Sequence, residues 1–418
     1  MPKELNYFSE LMTLNLYFNK LTGTIPDLSG LIAIEQIDLD GNELTGTVPE
    51  SIFNMPNIVN LFLLNNKDLT GTIPEILDSS KIAAISIFGC SFVGTIPQSL
   101  TSVSTLRLLQ LKDNAIEGTI PPELFSLPSL ETLGLDGNRF VGKIPRIQLT
   151  ENGSALTSLS IGSNSLEGAL PDSIEKLTSL QFLYADDNML TGSIPRAIFE
   201  LPSLEQLWLH ENKLSGDISD LSFTSSSIGD VYLGQNNFSG NLQDLFSSAP
   251  SSIQRLDVSG NSLFKGYISD DIGSFDSLKY FNASSCSLIG TLPKETFHRL
   301  TEVSTFAVAD NQLQGGIPFT MGYMSNLKYL DLSKNSFTGE VPDTMAGLVS
   351  LASFDVSGNQ DLRGDMGSTF CQAVVGSDYN LVFAAADCTG SDADAVRVEC
   401  DCCTDCCNRE GQCGPNNN

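Results

Sequence analysis

One sixteen-position pattern, L-x-x-L-x-L-x-x-N-x-L-x-G-x-I-P with tolerated substitutions, recurs fifteen times along the chain, mostly at steps of 24 residues. Its ninth position is Asn19, Asn42, Asn66, Asn114, Asn138, Asn164, Asn188, Asn212, Asn236, Asn261, Asn311, Asn335 and Asn359, with Cys90 and Cys286 in the two remaining places. No single repeat can bury its own leucines, so the pattern calls for stacked coils. The L-x-L run predicts a short parallel strand in every coil, with leucines inward and the residue between them outward. The asparagine amide should turn inward, bonding its own turn and the backbone of the next coil. Gly permits the tight turn that follows. The Pro of "IP" should open a short helical turn, as at Pro74, Pro97 and Pro195.

Composition agrees with one repeated unit. A length of 418 residues suggests two or three domains, yet Leu, Asn, Gly and Ser recur evenly to about residue 366 and no linker interrupts them. The expected organisation is therefore a repeat region over 1–366 and a cysteine-rich cap over 367–418. With 22 basic against 50 acidic residues the net charge is -28, which argues against nucleic acid and anionic membrane surfaces. No apolar run approaches the length of a membrane span. No signal segment precedes the first repeat, so a leader and an N-terminal cap are expected to lie outside this sequence.

The segments "LTGTIP" at 21–26, "LTGSIP" at 190–195 and "FTGEVP" at 337–342 carry a resemblance to the leucine-rich repeat family in its plant-type form. The resemblance implies an α/β solenoid, a right-handed superhelix with a parallel sheet on its concave face and short helical turns outside. It also implies an extracellular recognition module: the ectodomain of a receptor-like protein, acting with a membrane-anchored co-receptor, or a secreted inhibitor or adhesion protein that binds a cell-wall enzyme or polysaccharide without signalling. No kinase signature occurs in the chain.

The outward positions single out a candidate site. Down the stack the residue between the strand leucines runs Asn15, Asp38, Phe62, Ser86, Gln110, Gly134, Ser160, Tyr184, Trp208, Tyr232, Asp257, Asn282, Ala307, Asp331 and Asp355. Tyr184, Trp208 and Tyr232 follow one another at a strand spacing of ~4.8 Å, with Phe182 as a fourth ring. Asp186, Asp187, Glu211 and Asp230 form the expected rim, and His210 stands beside Asp186. Rings with a carboxylate rim suit a protein or peptide with basic or apolar side chains, or a glycan stacked on an aromatic face. Exposed aromatics also stabilise cross-strand pairs without a ligand. The sole tryptophan lies within the cluster, in a residue class enriched at binding hot spots, and this favours the ligand reading. No Ser, Cys or Thr stands as a nucleophile beside His210, so neither catalysis nor a cofactor is expected.

Eight of the ten cysteines, Cys371, Cys388, Cys400, Cys402, Cys403, Cys406, Cys407 and Cys413, crowd the last 48 residues. An even number in a short terminal segment reads as four disulfides closing the last coil, in an oxidising compartment. The rival reading of "CDCCTDCC" is a thiolate metal cluster, against which stands the wide spacing of ligand pairs in zinc frameworks. The tail also resembles the cysteine-dense endings of microalgal leucine-rich repeat proteins. Cys90 and Cys286 read as buried rungs, not as reactive thiols. Sequons for N-glycosylation occur at Asn152, Asn237 and Asn282.

Overall fold

The computed structural model describes residues 1–77, 80–149, 153–221, 223, 227–365, 383–386, 398–399, 403–407 and 413–415. Two compact units divide the chain, Met1–Lys213 and Leu214–Asn418.

In the first unit three-residue strands from Thr13–Asn15 to Gln206–Trp208 pair in parallel, each with the next coil. The register is strict: Asn15 lies beside Asp38, Asp38 beside Phe62, and so on to Tyr184 beside Trp208. The middle residue of each strand, such as Leu61, Leu133, Leu183 or Leu207, is buried. Side chains alternate across a strand, so the flanking residues of each triplet share the other, solvent-facing side, called the ladder face below. In the second unit the same ladder runs from Asp230–Tyr232 to Ser353–Asp355. Here phenylalanine occupies several strand centres, and Phe281 and Phe306 touch at 5.3 Å between centroids.

The asparagine rung carries the polar part of the core. Asn66 Nδ2 donates to Leu63 C=O at 2.9 Å in its own coil and to Leu39 C=O at 3.0 Å, while its Oδ1 accepts Leu44 N–H at 3.2 Å. The bridged neighbour is thus the preceding coil, not the following one that the sequence suggests, because carbonyls of residues about 27 positions earlier point at the amide. Asn138 and Asn335 repeat the arrangement. The turn glycines adopt positive φ; at Gly46, φ 76°, a Cβ would lie 2.9 Å from Thr24 Cγ2.

Cys90 and Cys286 replace only half of that rung. Their thiols meet the same carbonyls, Leu63 at 3.3 Å and Val258 at 3.1 Å, but a thiol offers no carbonyl-like acceptor to the preceding coil. That coil supplies its own. Asn66 and Asn261 are followed by N-x-x-L or N-x-x-F, one residue longer than the usual N-x-L. The extra residue lets Leu69 N–H bond Asn66 C=O at 2.9 Å and Phe264 N–H bond Asn261 C=O at 3.0 Å. Both cysteines are free and buried, and burial pushes their thiol pKa values up to about 11 and about 12.

Helical turns Gln98–Ser102 and Arg196–Phe199 follow Pro97 and Pro195 as expected. The proline serves as N-cap and not as first helical residue: its extended ψ aims its C=O at the turn, where Leu100 N–H and Ile198 N–H bond it. Residues 75–77, described directly after Pro74, form no helix, which corrects that expectation. The template ends near Gly364, whereas the ladder runs on. Phe383–Ala386 pairs in parallel with Ser353–Asp355, Asp405–Cys407 pairs with Phe383–Ala386, and Cys413–Pro415 adds antiparallel to Asp405–Cys407. No helix among the described residues is long and apolar enough to cross a membrane.

Candidate functional site

On the ladder face of the first unit, Phe182 and Tyr184 come from one strand and Trp208 from the next, with Tyr184 in register beside Trp208. Tyr184 and Trp208 pack at 4.6 Å between centroids and 50° between planes, while Phe182 stacks on Tyr184 at 6.3 Å. These distances are within the range of favourable aromatic pairs. Tyr184 Oη donates to Gln206 Oε1 at 2.5 Å. Gln206 escaped the sequence reading, although it is the register partner of Phe182.

Two positions past the rings lies a charged row. His210 Nε2 stands 3.8 Å from Asp186 Oδ2, so the pair placed together by the repeat does meet, and His210 lies 6.2 Å from Trp208 between ring centroids. His210 is only 29% exposed, less than expected of a solvated surface residue. Burial raises the Asp186 pKa, and the neighbouring histidine pulls against that shift. Gly162 makes room for this carboxylate: a Cβ there would sit 2.9 Å from Asp186 Oδ1. Asp187 and Glu211 occupy the next position, at φ 49° and 54°, exposed in the turn before each asparagine.

A second polar group beside the rings was also missed. Lys112 Nζ reaches Asp136 Oδ2 at 3.0 Å and Ser160 Oγ at 3.1 Å, and Ser160, which bonds Asp136, is the register partner of Tyr184. Gly134 leaves the gap that Lys112 crosses, since a Cβ there would meet Lys112 Cε at 2.7 Å. The signal was available, because Lys112, Asp136, Gly162, Asp186 and His210 share one template position.

Tyr232 and Asp230 belong to the second unit. Asp230 is no rim residue: it is buried and ion-paired with Arg255 Nη1 at 3.0 Å, because its register partner on the next strand is that arginine. Tyr232 stands 6.1 Å from Tyr280, and burial raises its pKa. Tyr280 Oη and Asn282 Nδ2 both donate to Asp257 Oδ2, at 3.0 and 3.2 Å. Asn282 is therefore a half-buried member of a polar network, whereas Asn237 is exposed at the start of Asn237–Asn241. Asn152, Cys371, Cys388, Cys400 and Cys402 lie outside the described residues, as do the side chains of Cys406, Cys407 and Cys413. Among the described residues no group of three or more His, Cys, Asp or Glu could hold a metal ion.

A polar-edged aromatic pair on an open face can grip a ligand. Family models match parts of the repeat region. The model described as "Leucine rich repeat" matches residues 301–360, and a second one matches 10–31, 33–55 and 155–177. Among solved structures the chain is similar to the plant peptide hormone receptor RGFR1 in complex with RGF2. Identity is 29% over 93% of this chain and 61% of that one, with a TM-score of 0.81. It is also similar to the Arabidopsis receptor kinase HAESA in complex with the peptide hormone IDA and the co-receptor SERK1, at 29% identity over 95% of this chain and 65% of that one, TM-score 0.77. A TDR receptor matches at 25% identity over 94% and 76%, TM-score 0.67. The chain thus spans less than two thirds of the first two receptor chains. The repeat template, the parallel ladder and these matches agree that the chain carries leucine-rich repeats and has the fold of plant-type leucine-rich repeat ectodomains.

Proposed function

We propose that the chain is the ligand-binding part of an extracellular, receptor-like protein, that its ligand is a peptide or a protein segment, and that Trp208 anchors it. The observation that carries the reading is the Tyr184–Trp208 pair at 4.6 Å on the ladder face, flanked by the Asp186–His210 pair. The peptide complexes of RGFR1 and HAESA support it, and the SERK1 complex of HAESA supports a co-receptor as second partner. The disulfide-bonded state of Cys403 supports a tail closed by disulfides in an oxidising compartment. Of the two described sequons, Asn237 is the one open to a glycan, because the Asn282 amide is engaged with Asp257 and Tyr280.

The only tryptophan gives a direct test. Titrating a library of synthetic peptides against the chain while following Trp208 emission should identify peptides that give a saturable change, with affinity lost in Tyr184→Ala. A peptide that binds without altering the emission, and equally well to Trp208→Ala, would remove the ladder face of the first unit from the proposal.

A further inference from the structure

Outside the ladder face, the second unit contains a cavity of about 260 Å³ lined by Ser262, Ser285, Ser287, Asp310, Asn311 and Gln312. It arises where the coil lengths change. The steps from Asn261 to Cys286 and from Cys286 to Asn311 are 25 residues each, whereas those around Cys90 are 24. In the Cys90 coil the strand after the rung starts at once: Ser91–Gly94 pairs with the preceding coil, Thr70 beside Ser91. In the Cys286 coil Ser287 takes φ 52°, and the strand starts only at Ile289–Gly290. The space that a paired strand would fill stays open.

The wall has a definite chemistry. Ser285 donates its hydroxyl proton to Asp310 Oδ2 at 2.9 Å, and Ser287 donates to Ser262 C=O at 3.0 Å. Asn311 is committed to the ladder: its Oδ1 accepts Cys286 N–H and Leu288 N–H, and its Nδ2 donates to Ala283 C=O and Val308 C=O. Since each hydroxyl has a single proton, Ser285 and Ser287 offer an incoming group only lone pairs, beside the second oxygen of Asp310. None of the six lining residues is basic. Ser262 and Gln312 can turn either a donor or an acceptor inward, so the fixed character of the wall is set by the two serine oxygens and the Asp310 carboxylate, which in a chain of net charge -28 are matched to a donor-rich cation. An apolar shelf adjoins it. Ile289, 52% exposed, lies in register with Gln312 of the wall, and its N–H bonds Gly266 C=O beside Tyr267, 48% exposed.

We propose that this cavity takes the Arg or Lys side chain of a partner protein, with the head group against Asp310, Ser285 and Ser287 and the methylene stem on Ile289 and Tyr267. Long basic side chains bury their stems on apolar surface in this way. The contact is separate from the proposed peptide site, since none of its residues lies on the ladder face.

Methyl-labelled isoleucine provides the readout. Titration with the capped tripeptide acetyl-Leu-Arg-Leu-amide should move the Ile289 methyl resonance saturably, and added salt should weaken the effect. Acetyl-Leu-Gln-Leu-amide should leave the resonance in place. Asp310→Asn should weaken the arginine probe at least tenfold while preserving the fold, because asparagine tolerates the positive φ of 52°. Trp208→Ala should not change the titration, so failure of the peptide site and failure of this one are told apart. Equal shifts with the glutamine probe, an Asp310→Asn variant of unchanged affinity, or equal shifts spread over isoleucines remote from the cavity would each overturn the proposal.

Discussion

Two strips of the same coils obey opposite rules. The asparagine rung is nearly identical from coil to coil, buried and bonded through fixed backbone partners, while the ladder face changes identity at every strand. The rung varies only where the preceding coil supplies its own acceptor, as at Cys90 and Cys286, because each amide satisfies groups of two coils at once and an unmet buried group costs about 1–3 kcal/mol. The face varies more freely, since most of its side chains reach solvent and those that bond a neighbouring coil, such as Asp230 to Arg255, do so through pairs particular to one place. The rung and the proposed recognition face occupy different template positions, Asn212 standing four residues after Trp208, and mutations on the two strips should separate stability from binding.

The largest effect should come from the rung. Asn66→Ala removes bonds to Leu39, Leu63 and Leu44 and should lower the unfolding free energy by about 3–5 kcal/mol in urea titration. Asn19, exposed and bonded only within its own coil, should cost less than about 1 kcal/mol by the same substitution. Equal losses at both positions would mean that bridging between coils is not what the rung supplies.

Next comes the face. Trp208→Ala should weaken the cognate ligand by about 2 kcal/mol or more and shift stability by less than about 1 kcal/mol, because Leu207 and Leu209 fill the core. If unfolding and binding both collapse, the two strips are not independent.

The cysteine rungs sharpen the contrast. Cys90→Asn looks like a repair of the template, yet it should be neutral or destabilising by about 1 kcal/mol, since Leu69 N–H is already bonded to Asn66 C=O and no donor awaits the new oxygen. A clear gain in thermal stability would show that the longer coil does not compensate. The native protein should also resist thiol alkylation at Cys90 and Cys286, whose thiols burial holds at about 11 and about 12.

The smallest effect concerns Asp40, whose pKa is raised to about 7 by burial and by Asp38, even though Leu64 N–H bonds its carboxylate at 2.8 Å. The folded state holds a proton there that the unfolded chain releases near the ordinary aspartate value of 3.8. Its contribution to stability therefore falls as pH rises from about 4 to about 7 and is flat above. Asp40→Asn should flatten that slope in urea midpoints compared at pH 5 and pH 8. An unchanged slope would reassign the pH dependence to other carboxylates.

Some of the site was visible in the residue order, and some was not. Tyr184 beside Trp208 and Asp186 beside His210 followed from counting, because parallel strands in fixed register bring equal template positions together. Asp230 was misplaced on the rim, since its burial depends on Arg255 reaching across from the next strand. Gly134 and Gly162 leave room in their rows, and their missing side chains are what admit Lys112 and Asp186.

The sequence by itself determined the coil count of the template, the inward leucines, the rung and the order of residues on the ladder face, for all of these repeat at a period that can be read without coordinates. Only the tertiary structure decided that the rung bridges backward, that a one-residue insertion satisfies the coil before each cysteine, that the ladder continues into Phe383–Ala386 and Asp405–Cys407, and that a cavity opens beside Cys286. The physical reason is the distance over which each effect acts. Periodic contacts join identical positions one coil apart, whereas these exceptions depend on how a single added residue, or a side chain of particular length, falls against a coil some 25 residues away, where no local signal announces it.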